Sequence, residues 1–220
     1  TLFMKLNSYS SAEHKDLTSL QPFYHAMQEI IFECGGYVRQ FIIDDKGCVL
    51  IVLWGVPTAS FPNNCSRAVR CAAAMSAKTT SLNHECSIGI TTGTAYCGTV
   101  GSSRRQDYVA MGSSVNLAAR FMSKAAQRIV IDLATHDALY CEMAVAFSEI
   151  SPGLILKGFD TPVTAFYYDS QFVVDTCICD VKRDSDFVIR ETIQEQLDHA
   201  VAVAANLHKA ITMSLSVAST

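Results

Sequence analysis

The sequence has no basic stripe, no long apolar run, no cysteine framework and only one tryptophan. Each absence excludes something. The 220 residues hold 17 lysines and arginines against 21 aspartates and glutamates, a net charge of −4. Without clustered cations there is nothing to neutralise a run of phosphates, which excludes a general nucleic-acid binder. A nucleotide is not excluded, because it needs only a few placed cations. The uninterrupted apolar run Cys48–Trp54 falls far short of the roughly 20 residues that cross a bilayer as a helix. The opening residues do not read as a signal peptide. They begin within a strand-like pattern and without methionine, which predicts a piece of a longer polypeptide.

The nine cysteines are odd in number and irregularly spaced. Cys34, Cys48, Cys71, Cys86, Cys97 and Cys141 sit in apolar segments. This usage predicts reduced thiols in a cytoplasmic protein rather than a disulfide scaffold. The nearest pair, Cys177–Ile178–Cys179, lacks the second pair of ligands that a zinc site needs. Asn64–Cys65–Ser66 spells a glycosylation acceptor, which the cytoplasmic reading leaves unused. The six histidines (His14, His25, His84, His136, His199 and His208) are dispersed without metal-ligand spacing. No Ser/His/Asp or Cys/His constellation can be assembled.

Half of the residues are apolar, enough for a sizeable core. Their periodicity sets the elements. Leu2–Leu6 reads as a strand. Leu17, Leu20, Tyr24, Met27, Ile30 and Ile31 recur at helical spacing, and Gly35–Gly36 stops that helix. Tyr37–Ile43 and Cys48–Trp54 read as strands joined by a turn over Asp44 to Gly47. Cys65–Leu82 is an alanine-rich helix. The glycine-punctuated stretch Cys86–Gly101 reads as a hairpin with close backbone packing at its glycines. Ser113–Ala126 is a helix, Arg128–Leu133 a strand and Thr135–Met143 a short helix. Phe147–Ile150, Leu154–Lys157 and Val163–Tyr168 are late strands, and Glu191–His208 is one more helix. Helices alternate with strand pairs, so the expectation is an α+β domain with helices packed on one sheet.

Several features bear on chemistry. Asp44 and Asp45 invite a metal-ion reading. Neighbours in a strand point to opposite faces, however, and Asp-Asp-Lys-Gly is ordinary turn composition. Gly93 to Gly98 has phosphate-loop spacing, but Thr99 stands where that loop needs lysine, and the context is a hairpin rather than strand-to-helix. In "VNLAARFM", Asn116 and Arg120 are four apart, stack on one helix face, and are the only polar positions. Spacing alone leaves two readings: an exposed polar stripe, or two groups aimed at a ligand. Lys157, before Gly158 in "LILKGFD", could meet a polyphosphate, but by itself it reads first as a solvated lysine at a strand end.

Taken together, "CGGYV", "GCVLIVLWG", "SIGITTGTAYCGTVGS", "YVAMGSSVNLAARFM" and "LKG" resemble the class III nucleotidyl cyclase catalytic domains over about residues 1–170. Within that family the stretches are most similar to the second cyclase domain of the bicarbonate-responsive soluble adenylyl cyclases, which share the D-K-G-C segment. The resemblance implies a ferredoxin-like α+β fold with a central, mostly antiparallel sheet. It implies domains that work in head-to-tail pairs, with ATP bound at the interface. It implies cyclisation of ATP to cyclic AMP with loss of pyrophosphate. On the matching positions, Asn116 would orient the ribose, Arg120 would stabilise the transferring phosphate, and Lys157 would contact the terminal phosphates. Gln40 stands where the family reads adenine with lysine, and Val109 at its companion polar position.

The same resemblance places the two metal-binding aspartates at Lys5 and Cys48. Lysine repels a divalent cation, and a thiol is a poor ligand for magnesium. The implication is a metal-free half. Its Mg2+, or Mn2+ or Ca2+, would come through the aspartates of a first cyclase domain, expected in the same polypeptide. A catalytically degenerate domain that regulates or scaffolds a partner is the alternative. Residues 171–220 read as an extension, in which Phe187–Glu191, "FVIRE", is similar to the opening of an ATPase module.

Overall fold

The computed structural model describes residues 1–7, 20–44, 47–57, 59–139 and 141–169. The Asp45–Lys46 part of the expected turn, the helix start before Leu20, Cys177, Cys179, "FVIRE" and the Glu191–His208 helix lie outside the described residues.

Nine strands and five helices alternate along the described chain: β1 (Leu2–Leu6), α1 (Gln21–Glu33), β2 (Tyr37–Asp44), β3 (Gly47–Leu53), α2 (Asn64–Ser81), β4 (Cys86–Ile90), β5 (Tyr96–Ser102), β6 (Arg105–Met111), α3 (Ser113–Lys124), β7 (Ile129–Asp132), α4 (Leu133–Asp137), α5 (Cys141–Ala144), β8 (Phe147–Glu149) and β9 (Ala165–Tyr168). Seven strands form one sheet in the order β2-β3-β1-β4-β7-β9-β8. Only β4 and β7 run parallel; the other neighbours are antiparallel. The α+β expectation therefore holds, with a mostly antiparallel sheet and helices packed on it.

The two faces of the sheet follow from strand alternation. Leu2, Met4, Leu6, Cys48, Leu50, Val52, Ile88 and Ile90 are buried on one face, packed with Met27 and Ile31 of α1 and Ala68, Cys71, Ala72 and Met75 of α2. Lys5 registers with Val49 on one side and Ser87 on the other, so it shares the opposite face with them. Helix α3 packs there, across β4 and β1. Phe121 and Ala125 form a second core with Val130, Leu156 and Ala165.

Two glycine sites let these layers meet. Gly35, at φ +67, ends α1, and Gly35 and Gly36 return their amides to Phe32 and Ile31. Gly89 lets α3 rest on β4 backbone to backbone. A Cβ at Gly89 would collide with the Ala118 carbonyl and the Met122 amide, and would lie 2.9 Å from Phe121 Cβ.

The hairpin expectation needs correction. Cys86–Ile90 is a buried central strand of the main sheet, whereas Tyr96–Ser102 pairs with Arg105–Met111 as a separate two-stranded sheet. The hairpin thus turns after Ser102, beyond the stretch in which its glycines suggested it. Burial explains the division: all five residues of β4 are buried, while β5 is almost wholly exposed. Cys97 is accordingly exposed, not part of an apolar interior. The expected Thr135–Met143 helix is two short helices, the first capped by Asp132, which accepts from the Thr135 amide at 2.9 Å. The expected Leu154–Lys157 strand is reduced to one bridge between Leu154 and Val163.

Replacing Gly89 with alanine forces β4 and α3 apart. The expected loss is about 1–3 kcal/mol, seen as a lower midpoint in urea unfolding without a change of slope.

Candidate active site

Helix α3 is fixed at its start by the segment that follows β4. Thr91 donates its hydroxyl to the Ser114 carbonyl at 2.7 Å, and Ser114 donates to the Thr94 carbonyl at 3.4 Å. With Ser114, Ala118, Phe121 and Met122 buried, the opposite side of the helix faces outward. Asn116 is exposed there and Arg120 is half-buried.

Arg120 does not extend freely into solvent. Its guanidinium lies against Gly158, with Nη1 at 3.2 Å and Nη2 at 3.7 Å from where a Cβ would stand. Its Cζ is 5.4 Å from the centroid of the Phe159 ring. Nη1 is buried and has no hydrogen-bond partner among the described residues. The ion pairs among the described residues, Arg105–Asp107 and His136–Asp137, do not involve it. Lys157 precedes Gly158 and is exposed. Tertiary structure thus brings the turn that carries Lys157 against Arg120, through Gly158 and Phe159, on the side of α3 that also holds Asn116. Gly158 and Phe159 are the members that sequence reasoning missed. The one available signal was a glycine directly after the lysine.

Gln40 and Val109 belong to a second part of the surface. The ladder of β2 with β3 slips at Arg39: Tyr37 pairs with Leu53, Val38 with Val52, and Gln40 with Ile51. This bulge turns Gln40 and Ile42 to the α3 face and Phe41 to the other, where Phe41 stacks on Tyr24 at 4.3 Å. Gln40 is exposed on the α3 face. Val109, half-buried on β6, sits next to Tyr108, whose ring meets Tyr37 edge-on at 5.9 Å. That contact sets the base of the hairpin beside the start of β2. Between the hairpin base and α3 the sheet leaves Phe3, Ile42, Val49 and Ile51 half-buried, with Lys5 among them. Lys5 borders a cavity of about 630 Å3 together with Asn7, Ser87 and Ser123.

Neither Lys5 nor Cys48 suits a divalent cation. The Lys5 ammonium repels a divalent cation. Cys48 is 2% exposed, and burial pushes its thiol up to about 12, so it stays protonated. The register also separates them. Cys48 pairs with Leu6 on the α1/α2 side, and Lys5 pairs with Val49 on the α3 side. Among the described residues no group of three or more His, Cys, Asp or Glu could hold a metal ion. No helix among them is long and apolar enough to cross a membrane.

Known proteins share this arrangement of elements. A family model described as the adenylate and guanylate cyclase catalytic domain matches residues 8–167. Adenylate cyclase type 10 of Homo sapiens is 25% identical over 173 residues, covering 76% of this chain but 11% of that protein. Adenylate cyclase 1 of Rhizobium meliloti (strain 1021) is 30% identical over 111 residues, 46% of this chain and 16% of that protein. Among solved structures, the adenylyl cyclase CyaB from P. aeruginosa superposes with a TM-score of 0.65 at 23% identity, over 76% of this chain and 91% of that one. The guanylyl cyclase Cya2 gives 0.62 at 27% identity, over 76% and 89%.

The buried thiol of Cys48 carries a pH signature. In the unfolded chain a thiol ionises near its ordinary value of 9.0, while the folded protein keeps the Cys48 proton to about 12. The unfolded state therefore binds fewer protons in that window, and stability falls as pH rises from about 9 to about 12. Cys48→Ala should flatten this slope by up to about 1.4 kcal/mol per pH unit, read from urea midpoints across the window.

Proposed function

The chain belongs to the adenylate and guanylate cyclase catalytic domain family, and on that premise we propose that it is the second half of a soluble-type adenylate cyclase core. In this reading it converts ATP to cyclic AMP and pyrophosphate at an interface with a first cyclase domain. The ribose 3′-oxygen attacks the α-phosphorus, the bond to the bridging β-oxygen breaks, and pyrophosphate departs. This chain's residues bind and orient. Asn116 donates to or accepts from the ribose. Arg120 meets the negative charge that grows on the α-phosphate, and Lys157 meets the terminal phosphates.

The observation that carries the reading is Arg120, packed on the turn that carries Lys157. Among the described residues no carboxylate lies in ion-pair reach of it, and its Nη1 is buried without an acceptor. A half-buried, unneutralised cation is costly, and a polyphosphate offsets that cost. The half-buried apolar strip Phe3, Ile42, Val49 and Ile51 supports a partner on the α3 face. Because Lys5 and Cys48 do not fit a metal ion, divalent cations belong on the partner's aspartates in this reading.

A second reading, a degenerate domain that regulates its partner, is favoured by Val109, which offers a purine no hydrogen bond where the family has a polar residue. Gln40 alone can still donate and accept at a purine edge. Bound nucleotide beside Asn116 in the paired domains would count against it.

In the complete protein, Arg120→Ala should lower kcat about 100- to 1,000-fold with a modest change in ATP affinity. Unchanged turnover would remove Arg120 from the site. The chain alone, given ATP and magnesium, should make no cyclic AMP above background. Robust activity from it would show that Lys5 and Cys48 are not a barrier to metal use.

A further inference from the structure

The turn that follows Lys157 holds Arg120 from two sides. Leu156 is 3% exposed and anchors the turn in the core beneath α3, with Phe121 and Val130. The Phe159 amide donates to the Leu156 carbonyl at 3.2 Å and closes the turn. Gly158 adopts φ +81, a conformation that glycine takes without penalty and that a side chain would resist. Its missing side chain leaves the space that the guanidinium occupies, since an added Cβ would press on Nη1 at 3.2 Å. Phe159 then presents its ring 5.4 Å from the Arg120 Cζ, within the range of cation–π attraction. The ring is 42% exposed, so core packing does not explain its position.

We infer that Gly158 and Phe159 are positioning residues for Arg120. They clamp the Nη1 corner of the guanidinium. A free arginine would have to lose the freedom of its side-chain torsions as the transition state forms. A clamped one has lost it already, so the benefit falls on turnover rather than on ground-state binding. Lys157 and the clamp share one turn. The inference rests on the proposed role of Arg120.

The test uses the complete protein with its own partner domain, assayed for cyclic AMP formation. Phe159→Leu should lower kcat about 3- to 30-fold, the loss of one cation–π contact, with KM for ATP within about 2-fold. Phe159→Tyr should restore most of the loss. In an Arg120→Lys background, which lacks the planar fork, Phe159→Leu should cost clearly less. An unchanged kcat in Phe159→Leu, while Arg120→Ala is crippled, overturns the clamp and leaves the site standing. So does an equal loss in both backgrounds. A harmless Arg120→Ala, or no turnover by the wild-type pair, overturns the clamp and the site together.

Discussion

The contact of α3 with Gly89 is the constraint on which the rest depends. Helix and strand can touch backbone to backbone only where no Cβ intervenes. That single absence sets the depth of α3 on the sheet. From the depth follow the burial of Phe121 and Met122 and the outward direction of Asn116 and Arg120. It also sets where Leu156 must enter the core, and with it the turn bearing Lys157. The placement of the Arg120 guanidinium against the Gly158 turn thus depends on the seat that Gly89 gives the same helix.

The chain is one-sided in its chemistry. The turn that bears Lys157 packs on Arg120, and neither Lys5 nor the buried, protonated thiol of Cys48 suits a divalent cation. Strand alternation deepens this, because Lys5 and Cys48 point to opposite faces. In the proposed reading such a domain is complementary to one that brings carboxylates and metal, and the half-buried apolar strip next to Lys5 is where that partner would rest.

Much of the fold was legible because its elements have strong periods. Strands β1 at Leu2–Leu6 and β3 at Gly47–Leu53, and the ends of α1 before Gly35 and of α2 before Leu82, emerged close to their expected bounds. The stretch from Cys86 to Gly101 was not legible in this way, because β-branched residues and glycines look alike in a buried central strand and in an exposed arm. Only burial separates β4 from β5. The bulge at Arg39 was likewise silent: "YVRQF" alternates plausibly either way, and the choice is made by Phe41 finding Tyr24 on the α1 side.

Sequence by itself determined the α+β class, the apolar face of α3 and the Asn116/Arg120 pair four residues apart. These follow from local periodicity and residue chemistry, which need no distant contact. Tertiary structure alone decided that Arg120 meets Gly158 and Phe159, that Gln40 faces the α3 side, and that the hairpin reaches β2 through Tyr37 and Tyr108. Each of these joins residues remote in the chain or depends on a register slip. Periodicity has no term for either, so packing of the assembled core had to choose.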